Sequence, residues 1–166
     1  MRFIYYWIAL ILTFGGLGAV KTVVDFGLDK SRWDIAYEGE VDNFKIIEYV
    51  PKGQSIENWS ELISVVAYDG VSVSPGSVFK SMIEEIKYRD PDSTVESSIL
   101  ENGEDSLIAV WNLKNSKTPE ERNWIKIFAK NNELHTLLVT SKQCKEAEPK
   151  SKVWEKMLKN AKLVSK

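Results

Sequence analysis

The spacing of apolar residues changes several times along the chain, and each spacing points to a different element. From Phe3 to Val20 the run FIYYWIALILTFGGLGAV carries no charge, with Arg2 ahead of it and Lys21 behind it. A helix of that length spans about 27 Å, close to the hydrocarbon thickness of a bilayer. Three readings follow. The segment is a retained transmembrane anchor, whose Phe3, Tyr5, Tyr6 and Trp7 suit a membrane interface, a signal peptide with small residues for cleavage at Gly16-Leu17-Gly18, or a helix buried in a soluble domain. No cysteine stands directly after the run, which excludes a bacterial lipoprotein anchor. With Arg2 the only charge ahead of the segment, the positive-inside rule places the remaining chain on the non-cytoplasmic side.

Residues 21–32 show no sustained period and read as a linker, so the domain is expected over 33–166. Runs rich in aromatic and β-branched residues predict strands at Trp33–Tyr37 and Phe44–Val50, the second stopped by Pro51 and Gly53. Trp59, Leu62, Ile63 and Val66 would also fit a helical face, but the β-branched end and the Asp69-Gly70 turn favour a strand over Glu61–Tyr68. Ser74-Pro75 then reads as an N-cap with proline at the first helical position. Val78, Phe79, Met82, Ile83 and Ile86 line one face of that helix, which ends before Asp90-Pro91. Thr94–Leu100 and Leu107–Leu113 flank Asn102-Gly103, and Trp124–Lys130 and Leu134–Ser141 flank Asn131-Asn132, so both pairs are expected to be hairpins. A two-residue turn at Asn131-Asn132 would set Ile125, Ile127 and Ala129 against Leu138, Thr136 and Leu134, with Phe128 opposite His135 and Lys130 opposite Glu133. A last helix opens at Pro149 and Ser151. Its apolar stripe is Val153, Trp154, Met157, Leu158, Ala161 and Val164, and Lys152, Lys156, Lys159 and Lys162 lie mostly on the other side. The predicted order is βββ-α-ββββ-α, an α+β fold with an antiparallel sheet covered by two helices.

A resemblance enters with Gly53-Gln54-Ser55 and Asn58-Trp59-Ser60-Glu61-Leu62, followed by the Ser-Pro-capped helix and paired hairpins. This arrangement, over roughly Phe44–Val164, resembles small bacterial envelope proteins and is similar to the PsbP-like α/β/α sandwich, named for an extrinsic subunit of photosystem II. The resemblance implies a fold and an address. It brings no catalytic motif, and its members are mostly accessory or binding proteins.

Charge and chemistry narrow the function further. Lys and Arg total 22 against 24 Asp and Glu; since Arg2 is the only charge in the first twenty residues, 21–166 carries −3. That balance argues against nucleic-acid binding, which needs a basic field. One Cys and one His permit neither an internal disulfide nor a Cys/His zinc site. The chain has no phosphate-binding loop or dinucleotide fingerprint, and no cofactor is implied. Glu84-Glu85, Asp90/Asp92 and Glu101/Glu104/Asp105 read as solvated carboxylates, since none continues as a calcium loop.

His135 is the only imidazole available as a general base, and a hydrolase would have to pair it with Ser141 or Cys144. Nothing in the local sequence places these together. Trp124 shares the strand face of Lys126 and Lys130 and is expected to be partly exposed. With Lys156, Lys159 and Lys162 it forms the candidate partner-binding surface, residues Trp124, Lys126, Lys156, Lys159 and Lys162. The sequence therefore predicts a non-catalytic binding or accessory module of a bacterial envelope. It would sit at the inner membrane facing the periplasm, or be exported there, with a protein partner. A small hydrolase using His135 and an exported immunity or inhibitor-type protein are the alternatives.

Overall fold

The computed structural model describes residues 21–114, 120–142 and 144–165, without the side chains of 144–149. The apolar run 1–20 lies outside the described residues. The elements are β1 (Thr22–Asp25), β2 (Trp33–Val41), β3 (Phe44–Pro51), β4 (Glu61–Asp69), α1 (Pro75–Arg89), β5 (Thr94–Asn102), β6 (Ser106–Lys114), β7 (Glu121–Lys130), β8 (Glu133–Ser141), α2 (Cys144–Asn160) and β9 (Lys162–Ser165). Seven strands form one antiparallel sheet in the order β2-β3-β4-β8-β7-β6-β5, and β1 pairs with β9 in a separate two-stranded ribbon.

Local chemistry accounts for the main joints. Asn131 and Asn132 take φ of 54° and 62°, the left-handed conformation that a two-residue hairpin turn demands and that Asn tolerates. The register that follows sets Ile125 against Leu138, Ile127 against Thr136, Ala129 against Leu134, Phe128 against His135 and Lys130 against Glu133, as the alternation required. Ser74 caps α1 by accepting from the Ser77 backbone N–H at 3.2 Å, with Pro75 opening the helix. The Gly53-Gln54-Ser55 motif is a self-closing loop. Gly53 has φ 79°, and the Gln54 side-chain oxygen accepts from the Ser60 backbone N–H at 2.7 Å. Beside it the Lys142 ammonium lies 3.6 Å from the centroid of the Trp59 ring.

The sheet separates two cores. On one face α1 covers Ile46, Val66, Tyr68, Leu107, Trp111, Ile125 and Ile127 through Phe79 and its neighbours. On the other, α2 and the β1/β9 ribbon cover Ile63, Ile108, Trp124, Phe128, Leu137 and Val139 through Trp154, Leu158, Ala161 and Val24.

Three expectations change. The segment read as a linker, 21–32, contains β1, and Phe26 and Leu28 pack on the core; its Thr-Val-Val run is a strand too short to show a period. The last helix starts at Cys144, ahead of Pro149, and stops at Asn160, so Val164 lies in β9. Ser151 sits inside that helix, where its hydroxyl donates to Glu155 at 2.7 Å and accepts from the Trp124 indole at 3.3 Å.

Candidate functional site

β1 crosses the sheet face beside α2, with Val24 buried and Val23 and Asp25 turned outward. Between this strand and strands β3 and β4 lies a pocket of about 180 Å³. Its walls are Val23, Val24, Phe26, Ile47, Tyr49, Val65 and Ala67, and its polar groups are Thr22, Lys45 and His135. Ring edges close one side, with Phe26 and Tyr49 centroids 6.1 Å apart. A mostly apolar concavity with a few placed polar groups is the usual form of a binding site.

Charge is tightly managed around it. The Lys45 ammonium lies 3.2 Å from both Glu38 and Glu40, and hydrogen bonding to the two, Glu38 first, raises its pKa. Burial, with Glu38 nearby, pushes the Tyr49 phenol up, so it stays protonated.

At the inner end, His135 is 1% exposed. Its Nε2 lies 2.9 Å from the Thr22 hydroxyl and 3.1 Å from Glu133 Oε2. Thr22 Oγ1 also donates to Glu133, and the Lys21 backbone N–H donates to Glu133 Oε1 at 2.6 Å. Burial raises the Glu133 pKa, but hydrogen bonds from Thr22, Lys21 and His135 outweigh it and the net direction is down. A histidine, a carboxylate and a hydroxyl are thus gathered, yet not as a catalytic triad. In a triad the nucleophile and the carboxylate occupy opposite ring nitrogens, so that one proton moves while the ring is held. Here both meet Nε2, and the hydroxyl proton goes to the carboxylate itself. The cluster fastens β1 to β8. Ser141, six residues along the strand from His135, is about 20 Å away, and Cys144 opens α2 at that same far end.

The predicted partner surface divides. Trp124 is fully buried, and Lys126 is 8% exposed. The Lys126 ammonium donates to the carbonyls of Ala161 at 2.8 Å and Lys159 at 3.4 Å, 4.8 Å from the Phe128 ring centroid. Both residues are therefore removed from that surface: strand alternation correctly puts them on one face, but α2 covers that face. Lys156, Lys159 and Lys162 are exposed. Lys156 and Lys162 line an open groove with Asp25, Phe26, Val153 and Met157, while Lys159 pairs with Glu101 at 3.1 Å. Sequence reading missed Thr22 and Glu133, which lie 111 positions apart; the only local signal was the β-branched Thr-Val-Val run.

Among the described residues no cluster of three or more His, Cys, Asp or Glu could hold a metal ion, and no helix is long and apolar enough to cross a membrane.

A family model matches residues 19–162. No curated protein matches the sequence. Among solved structures, cyanobacterial PsbP (CyanoP) from Synechocystis sp. PCC 6803 is similar at TM-score 0.51 and 10% identity, over 90% of this chain and 96% of that one. A point mutant of the protein Mog1 is similar at TM-score 0.51 and 11% identity, over 80% of this chain and 87% of that one. At such identities the likeness establishes the fold, an α+β sandwich of the Mog1/PsbP type, and nothing about activity.

Proposed function

The chain belongs to the family whose model spans residues 19–162, and from that footing we propose that it is a non-catalytic binding or accessory module of a bacterial envelope. Residues 1–20 tether it to the inner membrane or export it, and the domain works on the periplasmic side. The observation that carries this reading is the pocket beneath β1, which is walled by apolar side chains while its histidine is consumed in fastening a strand. Its capacity suits one compact apolar group, such as the side chain of a protein partner, with Glu38, Glu40 and Lys45 as the polar rim. A hydrolase would need a nucleophile positioned by His135, and Thr22 is committed to Glu133.

The test is site-specific photocrosslinking of the full-length protein in intact cells, with the photoreactive side chain at Ile47 in the pocket or at Tyr88, which is 84% exposed on α1. A discrete envelope-protein adduct at position 47 and none at position 88 is expected. Equal diffuse labelling at both positions would overturn the pocket as the recognition site.

A further inference from the structure

Where the chain enters the domain fixes how the domain stands on the membrane. The Lys21 backbone N–H is held by Glu133, Thr22 is held by Glu133 and His135, and Thr22 pairs with Ser165. The first described residues, Lys21 and Thr22, are thus fixed to the sheet. Glu133 opens β8 next to the Asn131-Asn132 turn, and consecutive Cα atoms are only about 3.8 Å apart. From Phe26 beside Tyr49 back to Thr22 beside Glu133, β1 leads toward that turn, so Lys21, which directly follows the apolar run in the sequence, lies at the same end of the sheet.

We propose that this strand end, which carries Asp42, Asp69, Glu104, Asp105 and the Asn131-Asn132 turn, faces the bilayer at close range. The opposite end, with the Gln54–Ser60 loop and the Trp59–Lys142 stack, is then presented away from it. The inference rests on the anchor reading of residues 1–20. β8 separates the two ends by about 27 Å, several Debye lengths at physiological salt. The partner of the near end is a lipid surface reached through covalent geometry rather than charge attraction. Among the described residues its exposed carboxylates Asp42, Glu104 and Asp105 stand beside the exposed Lys21 and Lys130, and Lys130 is already paired with Asp105 at 2.9 Å; this balance offers anionic headgroups no basic patch to adhere to. The pocket beneath β1, with Thr22, Lys45 and His135 at its near side, opens close to the membrane surface.

The experiment uses full-length protein in liposomes of phosphatidylcholine and phosphatidylglycerol, with Cys144→Ser and one new cysteine, Glu104→Cys or Glu57→Cys, carrying a fluorophore. A quencher attached to lipid headgroups should abolish the signal at position 104 and spare position 57. Inserting a long Gly/Ser segment between Val20 and Lys21 should restore the signal at 104. Equal quenching at both positions in membrane-embedded intact protein would overturn the orientation while leaving the anchor in place. Protein recovered from cells without residues 1–20, or in the soluble fraction, would overturn the anchor and the orientation with it.

Discussion

The ammonium of Lys126 lies 2.8 Å from the carbonyl oxygen of Ala161, so a lysine from the middle of the sheet closes the end of the helix that covers it. The last carbonyls of a helix have no intrahelical donors, and here a buried cation serves them. Burial lowers its pKa, with Glu101 partly opposing. Lys126→Ala removes the donor and the packed stem together, and should cost about 2–4 kcal/mol. Lys126→Met, which keeps most of the stem, should recover part of that loss in urea denaturation.

Trp154 tests the docking of α2. It is 8% exposed and meets Trp33 edge-on with centroids 6.0 Å apart. Trp154→Ala should destabilise by about 3–5 kcal/mol, whereas Lys156→Ala, on the exposed side, should change stability by less than about 0.5 kcal/mol. Equal effects would mean that α2 is not held through its apolar stripe.

These outcomes bear on what the sequence could disclose. The β7–β8 register was legible because Asn131-Asn132 sets a two-residue loop and alternation does the rest. The capped start of α1 was legible because Ser74-Pro75 is a local signal. What lies over a strand face is not local. Strand alternation sets Trp124 and Lys126 on one face, but their exposure depends on α2, folding back from residues 144–160, which decides whether that face meets water. The site was less legible still. Thr22 and His135 meet across 113 positions, and β1 and β9 are four-residue strands with no period of their own. Each strand needs the other, and both need the sheet.

The Glu133 cluster predicts an N-terminal boundary for folding. A chain beginning at Lys21 should unfold cooperatively, whereas one beginning at Asp25 loses Thr22 and the buried Val24 and should be less stable. Glu133→Gln should release β1 and speed hydrogen exchange at Val23 and Val24 while β7 and β8 stay protected. Because the folded carboxyl titrates below its ordinary value, its contribution is present above the unfolded pKa and fades as pH falls through the folded one. Protection at these amides, taken relative to the intrinsic exchange rate at each pH, should therefore fall on acidification.

Glu121 gives the opposite pH dependence. Burial pushes its carboxyl up to about 7, with Lys142 opposing. A raised carboxyl pKa means that the folded state holds the proton more tightly. The contribution is then full below the unfolded value near 4.5 and is lost as pH rises through about 7, on the order of 3 kcal/mol in all. Glu121→Gln should flatten the decline in urea midpoint between about pH 5 and pH 8. An unchanged slope in that variant would assign the titration to another group.

The central claim is that the pocket binds and His135 does not catalyse. The most direct measurement is the yield of the Ile47 photo-adduct in full-length protein carrying either Ala67→Phe, which fills the pocket, or Thr22→Val, which removes the hydroxyl beside His135 in it. Both variants must first be shown to fold, since overpacking can cost about 1–3 kcal/mol. The adduct should vanish with Ala67→Phe and persist with Thr22→Val, at a yield lowered only by the loosening of β1. An adduct indifferent to Ala67→Phe, or a chemically altered partner whose alteration is lost with Thr22→Val, would contradict the account.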